Sequence, residues 1–150
     1  MQISQASLTH LEALCELENA IFDVQSFPLS KRNFIYHLKK GNIFVAREQT
    51  QLVGYILIFF YKKSLRIYSL AVDERFRGRN IGVALMQYVK DLANAADKRS
   101  LTLEVKTSNR NAIRLYEKFG FKILKTLKEY YPNEDGYKMG MECVLSLKKC

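Results

Sequence analysis

Cysteine, proline and glycine are all scarce in this chain of 150 residues, and each scarcity narrows what the protein can be. The three cysteines, Cys15, Cys143 and Cys150, are odd in number and far apart. No C-x-x-C occurs, and the two histidines, His10 and His37, lack the spacing of metal ligands. This argues against a disulfide framework and against zinc or any other metal. Reduced thiols in a cytoplasmic protein fit best. Two prolines and seven glycines leave no sign of a linker or a disordered segment. Long apolar runs are missing too. The longest, LVGYILIFFY at 52–61, falls far short of the about 20 residues that a membrane-spanning helix needs. The start, MQISQASLTH, has neither a basic region nor an apolar stretch, so no signal peptide is expected.

What is present suits one soluble domain over residues 1–150. Apolar residues make up 48% of the chain, enough for a substantial core. The net charge of +9 favours an anionic partner: nucleic acid, a ribosomal surface or a phosphorylated cofactor. A merely solvated basic surface would look the same. No zinc finger, RNP motif or basic helix supports direct nucleic-acid binding.

Periodicity lays out the elements. Residues 1–7 suit a short strand. Leu8, Leu11, Leu14, Leu17 and Ile21 recur at helical spacing over 8–22. Ser30 reads as the N-cap of KRNFIYHLKK, with Phe34, Ile35 and Leu38 on one face and Gly41 as its stop. Three β-branched and aromatic runs follow at 42–48, 51–62 and 64–72. A helix over 82–96 carries Leu85, Val89, Leu92 and Ala96 as its buried stripe. SLTLEVK at 100–106 alternates as a strand, RNAIRLYEKFG at 110–120 is a short helix, and two last strands are expected in FKILKTLKEYY and near GMECVLSLK. The order β-α-α-β-β-β-α-β-α-β-β predicts a mixed α/β (α+β) domain. It has one mostly antiparallel sheet with helices on both faces, and a parallel pair joined by the helix at 82–96.

One stretch asks for an explanation. RFRGRNIGVAL, 75–85, packs Arg75, Arg77 and Arg79 with Gly78 and Gly82 at a strand-to-helix junction. A helix start offers free N–H groups and partial positive charge, and glycine lets backbone approach an anion. That is the logic of a phosphate seat. It matches neither Walker nor dinucleotide spacing, and a basic turn is the plain alternative.

The segment SLAVDERFRGRNIGVALM resembles motif A of the GNAT superfamily of N-acetyltransferases: strand, R/Q-x-x-G-x-G/A, helix. The pattern falls on Arg77, Asn80 and Gly82, with Asn80 in place of the first glycine. Asparagine adopts positive φ more readily than most residues, so the loop can keep its shape. LTLEVKTSNRNAIRLYEKFGF, 101–121, is similar to the superfamily's L-x-L-E-V-x-x-x-N-x-x-A-I-x-L-Y-x-x-x-G-F. KEYYPNEDG, 128–136, resembles the tail of the RimI-like, ribosomal-protein-alanine group.

The resemblance implies the GNAT fold and acetyl transfer from acetyl-CoA to an amine. Leu70, Ala71 and Val72 would line the pantetheine arm. Arg77, Gly78, Arg79, Asn80, Ile81, Gly82 and Val83 would take the pyrophosphate. Asn109 matches a cofactor-contacting asparagine, and is equally placed to cap the helix at 110. Glu104 would be the general base; without the resemblance it is a strand carboxylate on the face opposite Leu101, Leu103 and Val105. Tyr116 would be the general acid; without it, Tyr116 is a core aromatic beside Ala112, Ile113 and Phe119. The Val72 N–H would stabilise the oxyanion.

The acceptor is less legible. Phe22 in the loop 22–29, and Tyr130 and Tyr131 in the tail, are the expected walls. A protein N-terminus, of a ribosomal protein for instance, is the first expectation. A polyamine, amino sugar or amino acid is the alternative, and a non-catalytic CoA-binding module stays open. Monomer and homodimer are both compatible with the sequence.

Overall fold

The computed structural model describes residues 1–21 and 28–143. Its elements follow the expected order: β1 (Gln2–Gln5), α1 (Leu11–Ile21), α2 (Lys31–Lys40), β2 (Ile43–Glu48), β3 (Gln51–Phe60), β4 (Ser64–Val72), α3 (Ile81–Ala95), β5 (Ser100–Lys106), α4 (Arg110–Phe119), β6 (Lys122–Tyr131) and β7 (Glu134–Glu142). The strands form one seven-stranded sheet in the order β1-β2-β3-β4-β5-β7-β6. Pairing is antiparallel between β1 and β2, β2 and β3, β5 and β7, and β6 and β7. A parallel ladder joins Ser64–Ile67 of β4 to Ser100–Leu103 of β5, as the crossover through α3 predicts. By internal contacts the chain divides into two compact units, residues 1–58 with 69–88, and 59–68 with 89–150.

In the first unit, local chemistry sets the helix ends. The Asn33 N–H donates to Ser30 Oγ at 3.1 Å, and Gly41 closes α2 at φ +74°. Leu14 and Leu17 of α1 and Phe34 and Leu38 of α2 are buried, while Ile35 is half-buried. Leu8 departs from the helical stripe. It sits in a 3-10 turn ahead of α1 and is exposed. The continuous apolar run of β3 is buried from Val53 to Ile58, as a strand covered on both faces must be. Gly54 allows this packing. A Cβ there would lie 3.0 Å from the Ala71 carbonyl oxygen and 3.3 Å from both Ile81 Cγ2 and Leu85 Cδ1.

The buried stripe of α3 differs from expectation. Ile81, Leu85, Met86, Val89 and Ala93 are buried, whereas Leu92 is half-buried and Ala96 lies exposed beyond the helix end. The helix starts a residue earlier than read, and its apolar stripe is set by Ile81.

In the second unit, β5 alternates as read: Leu101, Leu103 and Val105 are buried, and Thr102, Glu104 and Lys106 are half-exposed. The final strand begins earlier than expected. The chain turns at Pro132–Asn133, with Asn133 at φ +65°, and β7 starts at Glu134 rather than near Gly140. The expected strand residues 144–148 lie outside the described residues. Proline presets the turn's first position and asparagine tolerates the left-handed second one, so YYPNED is a hairpin rather than a tail.

Candidate active site

Two groups of candidate residues emerge, one in each unit. The first begins where β4 ends. Leu70 and Val72 are half-buried and Ala71 is buried. The Asp73 N–H donates to the Val53 carbonyl at 2.8 Å, anchoring the strand end. Asp73 then caps a 3-10 turn over Glu74–Phe76, accepting from the Arg75 N–H at 3.0 Å. It also takes both arms of the Arg75 guanidinium, at 3.2 and 2.8 Å, which holds its carboxyl below the usual range. Arg75 is therefore engaged locally. Arg77 is exposed with a loose 3.9 Å pairing to Glu74, and Arg79 lies 5.0 Å over the Phe76 ring.

On either side of Arg79 the backbone turns left-handed, at Gly78 (φ +82°) and Asn80 (φ +60°). Asn80 keeps the turn that the usual glycine would make, as expected of this residue type. The Ala84 N–H donates to the Asn80 carbonyl at 3.0 Å, the first bond of α3. The N–H groups of Ile81, Gly82 and Val83 thus precede that ladder and point out of the helix start. A Cβ on Gly78 would meet nothing within 4 Å. Free N–H groups, a helix dipole, two exposed guanidinium groups and open approach suit a phosphorylated ligand. The residues present fit the pyrophosphate of a CoA thioester.

The second group centres on β5. Glu104 forms an ion pair with Arg66 of β4. The Arg66 guanidinium lies over the Phe59 and Tyr68 rings at 5.9 and 5.5 Å and donates to Tyr130 Oη at 3.5 Å. Glu104, Arg66 and Tyr130, with Tyr61, Ser64, Thr102, Lys125, Leu127 and Lys138, line a pocket of about 440 Å³. Tyr131 packs edge-on against Tyr130 at 4.9 Å, and its ring crowds the Cα of Gly136, where a Cβ would lie 2.7 Å away. Burial pushes the Tyr131 phenol up, with the neighbouring Tyr130 and Glu104 adding to the shift. A register break before Tyr131, with Glu129 at φ +51° and its N–H on Asp135 Oδ1 at 2.8 Å, sets the pair's orientation.

Tyr116 stands on α4 with its ring edge-on to Phe121 at 5.9 Å. Burial alone pushes its phenol up to about 12. Asn109 caps α4 by accepting from the Ala112 N–H at 3.2 Å. The capping reading of this asparagine therefore holds. The loop before it is tied to β7 by Glu134, which accepts from the Ser108 N–H and hydroxyl at 3.1 and 3.0 Å. Phe22, an expected acceptor wall, lies outside the described residues.

Two residues escaped the sequence reading. Arg66 gave no local signal, because its partner comes from a distant strand. Glu18 left a visible one: a carboxylate inside the apolar stripe of α1. It is buried at 2% exposure and accepts from Tyr55 Oη at 2.5 Å and the Leu29 N–H at 2.7 Å. Burial raises its pKa, opposed in part by those bonds.

A mixed sheet with a parallel pair, leading through an arginine- and glycine-containing turn into α3, is the arrangement expected of an N-acetyltransferase. The sequence signature of the acetyltransferase (GNAT) family matches residues 11–121, and the chain belongs to that family. An N-alpha-acetyltransferase of Sulfurisphaera tokodaii is 34% identical over 154 residues, covering 92% of this chain and 90% of the relative. The ribosomal-protein-S18-alanine N-acetyltransferase from Escherichia coli superposes with a TM-score of 0.86 at 25% identity, over 95% of this chain and 93% of that one. Naa50 of Arabidopsis thaliana, in complex with the bisubstrate analogue CoA-Ac-MVNAL, superposes with a TM-score of 0.82 at 26% identity, over 93% and 97%.

Proposed function

We propose that this protein, acting as one domain over residues 1–150 in the cytoplasm, acetylates the N-terminal α-amine of a polypeptide, with a ribosomal protein of the alanine type as the first candidate. The observation that carries this reading is the pocket lined by both Glu104 and Tyr130, each of them in contact with Arg66. A carboxylate there can take a proton through water, and a hairpin tyrosine can hold a peptide backbone. The likeness to an N-alpha-acetyltransferase across 92% of the chain supports the same choice of acceptor.

Acetyl-CoA supplies the activated acetyl group as a thioester. Arg77, Gly78, Arg79, Asn80, Ile81, Gly82 and Val83 hold its pyrophosphate with N–H groups and charge. The backbone of Leu70, Ala71 and Val72 would pair with the pantetheine arm, and the Val72 N–H would stabilise negative charge on the acetyl oxygen. Asn109 caps α4 and would also contact the cofactor. Glu104 takes the proton from the acceptor ammonium. An α-ammonium has a pKa of about 7.7–8.0, so modest basicity is enough near neutral pH. The freed amine would bond to the thioester carbonyl carbon, and as the carbon–sulfur bond breaks Tyr116, held protonated by burial, would give its proton to the leaving thiolate. Tyr130 and Tyr131 contact the acceptor.

The test is thiol release from acetyl-CoA against Ala-, Ser- and Met-initiated peptides, spermidine, an aminoglycoside and free amino acids. Acetylation of a peptide α-amine, located by mass spectrometry, is the expected result. Turnover of a small amine alone would move the enzyme to another acceptor class. Thermal stabilisation by acetyl-CoA with no turnover of any acceptor would make it a binding module.

A further inference from the structure

The pocket beside Glu104 carries more positive charge than its one carboxylate can neutralise. Arg66, Lys125 and Lys138 line it, against Glu104 alone. The sheet register sharpens the imbalance. Lys138 on β7 stands directly opposite Glu104 on β5 and, on its other side, directly opposite Lys125 on β6. Like charges paired across strands repel each other. Neither lysine forms an ion pair among the described residues. Arg66 also keeps a buried Nε with no hydrogen-bond partner. A folded protein retains such an arrangement at a cost, and an incoming anion would offset it.

We infer that this pocket selects acceptor polypeptides carrying an Asp or Glu side chain close behind the α-amine. The inference rests on the N-terminal acetyltransferase reading and adds to it the acceptor's charge pattern. Geometry limits where the carboxylate sits. Neighbouring strands are about 4.8 Å apart, so Lys125 lies about two strand spacings, or about 10 Å, from Glu104. An extended peptide advances about 3.4 Å per residue. With its α-amine at Glu104, the peptide reaches Lys138 and Lys125 with the side chains of its second to fourth residues. The carboxylate also neutralises charge that would otherwise disfavour the acceptor's ammonium next to Arg66.

The experiment compares Ser- and Ala-initiated peptides bearing Glu, Gln or Lys at position 2, 3 or 4. kcat/KM is measured with acetyl-CoA for the native chain and for the Lys125→Glu, Lys138→Glu double variant. Lys125→Gln, Lys138→Gln serves as a second variant, and melting temperatures confirm that each chain is folded. The expected result is a preference of about tenfold or more for Glu over Gln at one position at least. It should appear mainly in KM and shrink with added salt. Lys should be disfavoured, the Gln variant should lose the preference, and the Glu variant should invert it. Equal rates for Glu and Gln peptides at all three positions would overturn the inference. So would a Glu preference that survives charge reversal. Acetylation indifferent to charge overturns this inference alone. No acetylation of any peptide would overturn the proposed function and this inference with it.

Discussion

Removing one hydroxyl, in Tyr116→Phe, tests both the chemistry and the electrostatics of α4. Burial lifts the Tyr116 phenol from its ordinary 10.0 to about 12. Between those values the folded protein keeps a proton that the unfolded chain has released, so unfolding is favoured as pH rises. The contribution of Tyr116 is fully present below pH 10 and is lost as pH climbs towards 12. At pH 11 the two states differ about tenfold in protonation, which corresponds to a free-energy difference on the order of 1 kcal/mol. Tyr116→Phe keeps the ring contact with Phe121 and lacks the titrating group. Urea unfolding of both chains between pH 8 and pH 11 should show the native chain losing on the order of 1 kcal/mol more than the variant. Parallel pH dependence would refute the idea that burial controls this phenol. In the acetylation assay at pH 7, the same variant should lose about 10²-fold or more in kcat. Near-native turnover would remove Tyr116 from the role of general acid.

Three further outcomes are expected. Glu104→Gln should lower kcat by about 10²-fold or more while acetyl-CoA still raises the melting temperature, since Glu104 belongs to the acceptor side; a lost thermal shift would place it elsewhere. Asn80→Val puts a β-branched residue at φ +60°, and should cost about 1–2 kcal/mol in stability and weaken the thermal shift by acetyl-CoA, whereas Asn80→Gly should preserve both. Ser30→Ala removes the oxygen that receives the Asn33 N–H and should cost about 1 kcal/mol in urea unfolding without changing turnover.

Much of this protein is written in patterns only a few residues long. The alternation of SLTLEVK places Glu104 opposite the buried leucines, because successive strand residues face opposite ways. Ser30, Gly41 and Asn109 mark helix ends through bonds to backbone three or four residues away. Asn80 reads as a positive-φ residue from its type and place in the loop, and it has that conformation. Local signals misled where two of them competed. The apolar run after Gly140 suggested a strand start, but the Pro132–Asn133 turn begins β7 at Glu134.

The amino-acid sequence by itself determined the order of elements, the crossover that makes β4 and β5 parallel, and the arginine- and glycine-containing turn ahead of α3. Those follow from periodicity, turn residues and caps, all of which act over a few positions. The tertiary structure alone decided that Arg66 pairs with Glu104, that Glu18 is buried against Tyr55, and that Lys138 faces Lys125. Each of these depends on register or packing between segments distant in the chain. Register is set by how whole strands bury their apolar faces, a collective property that no single stretch of residues carries.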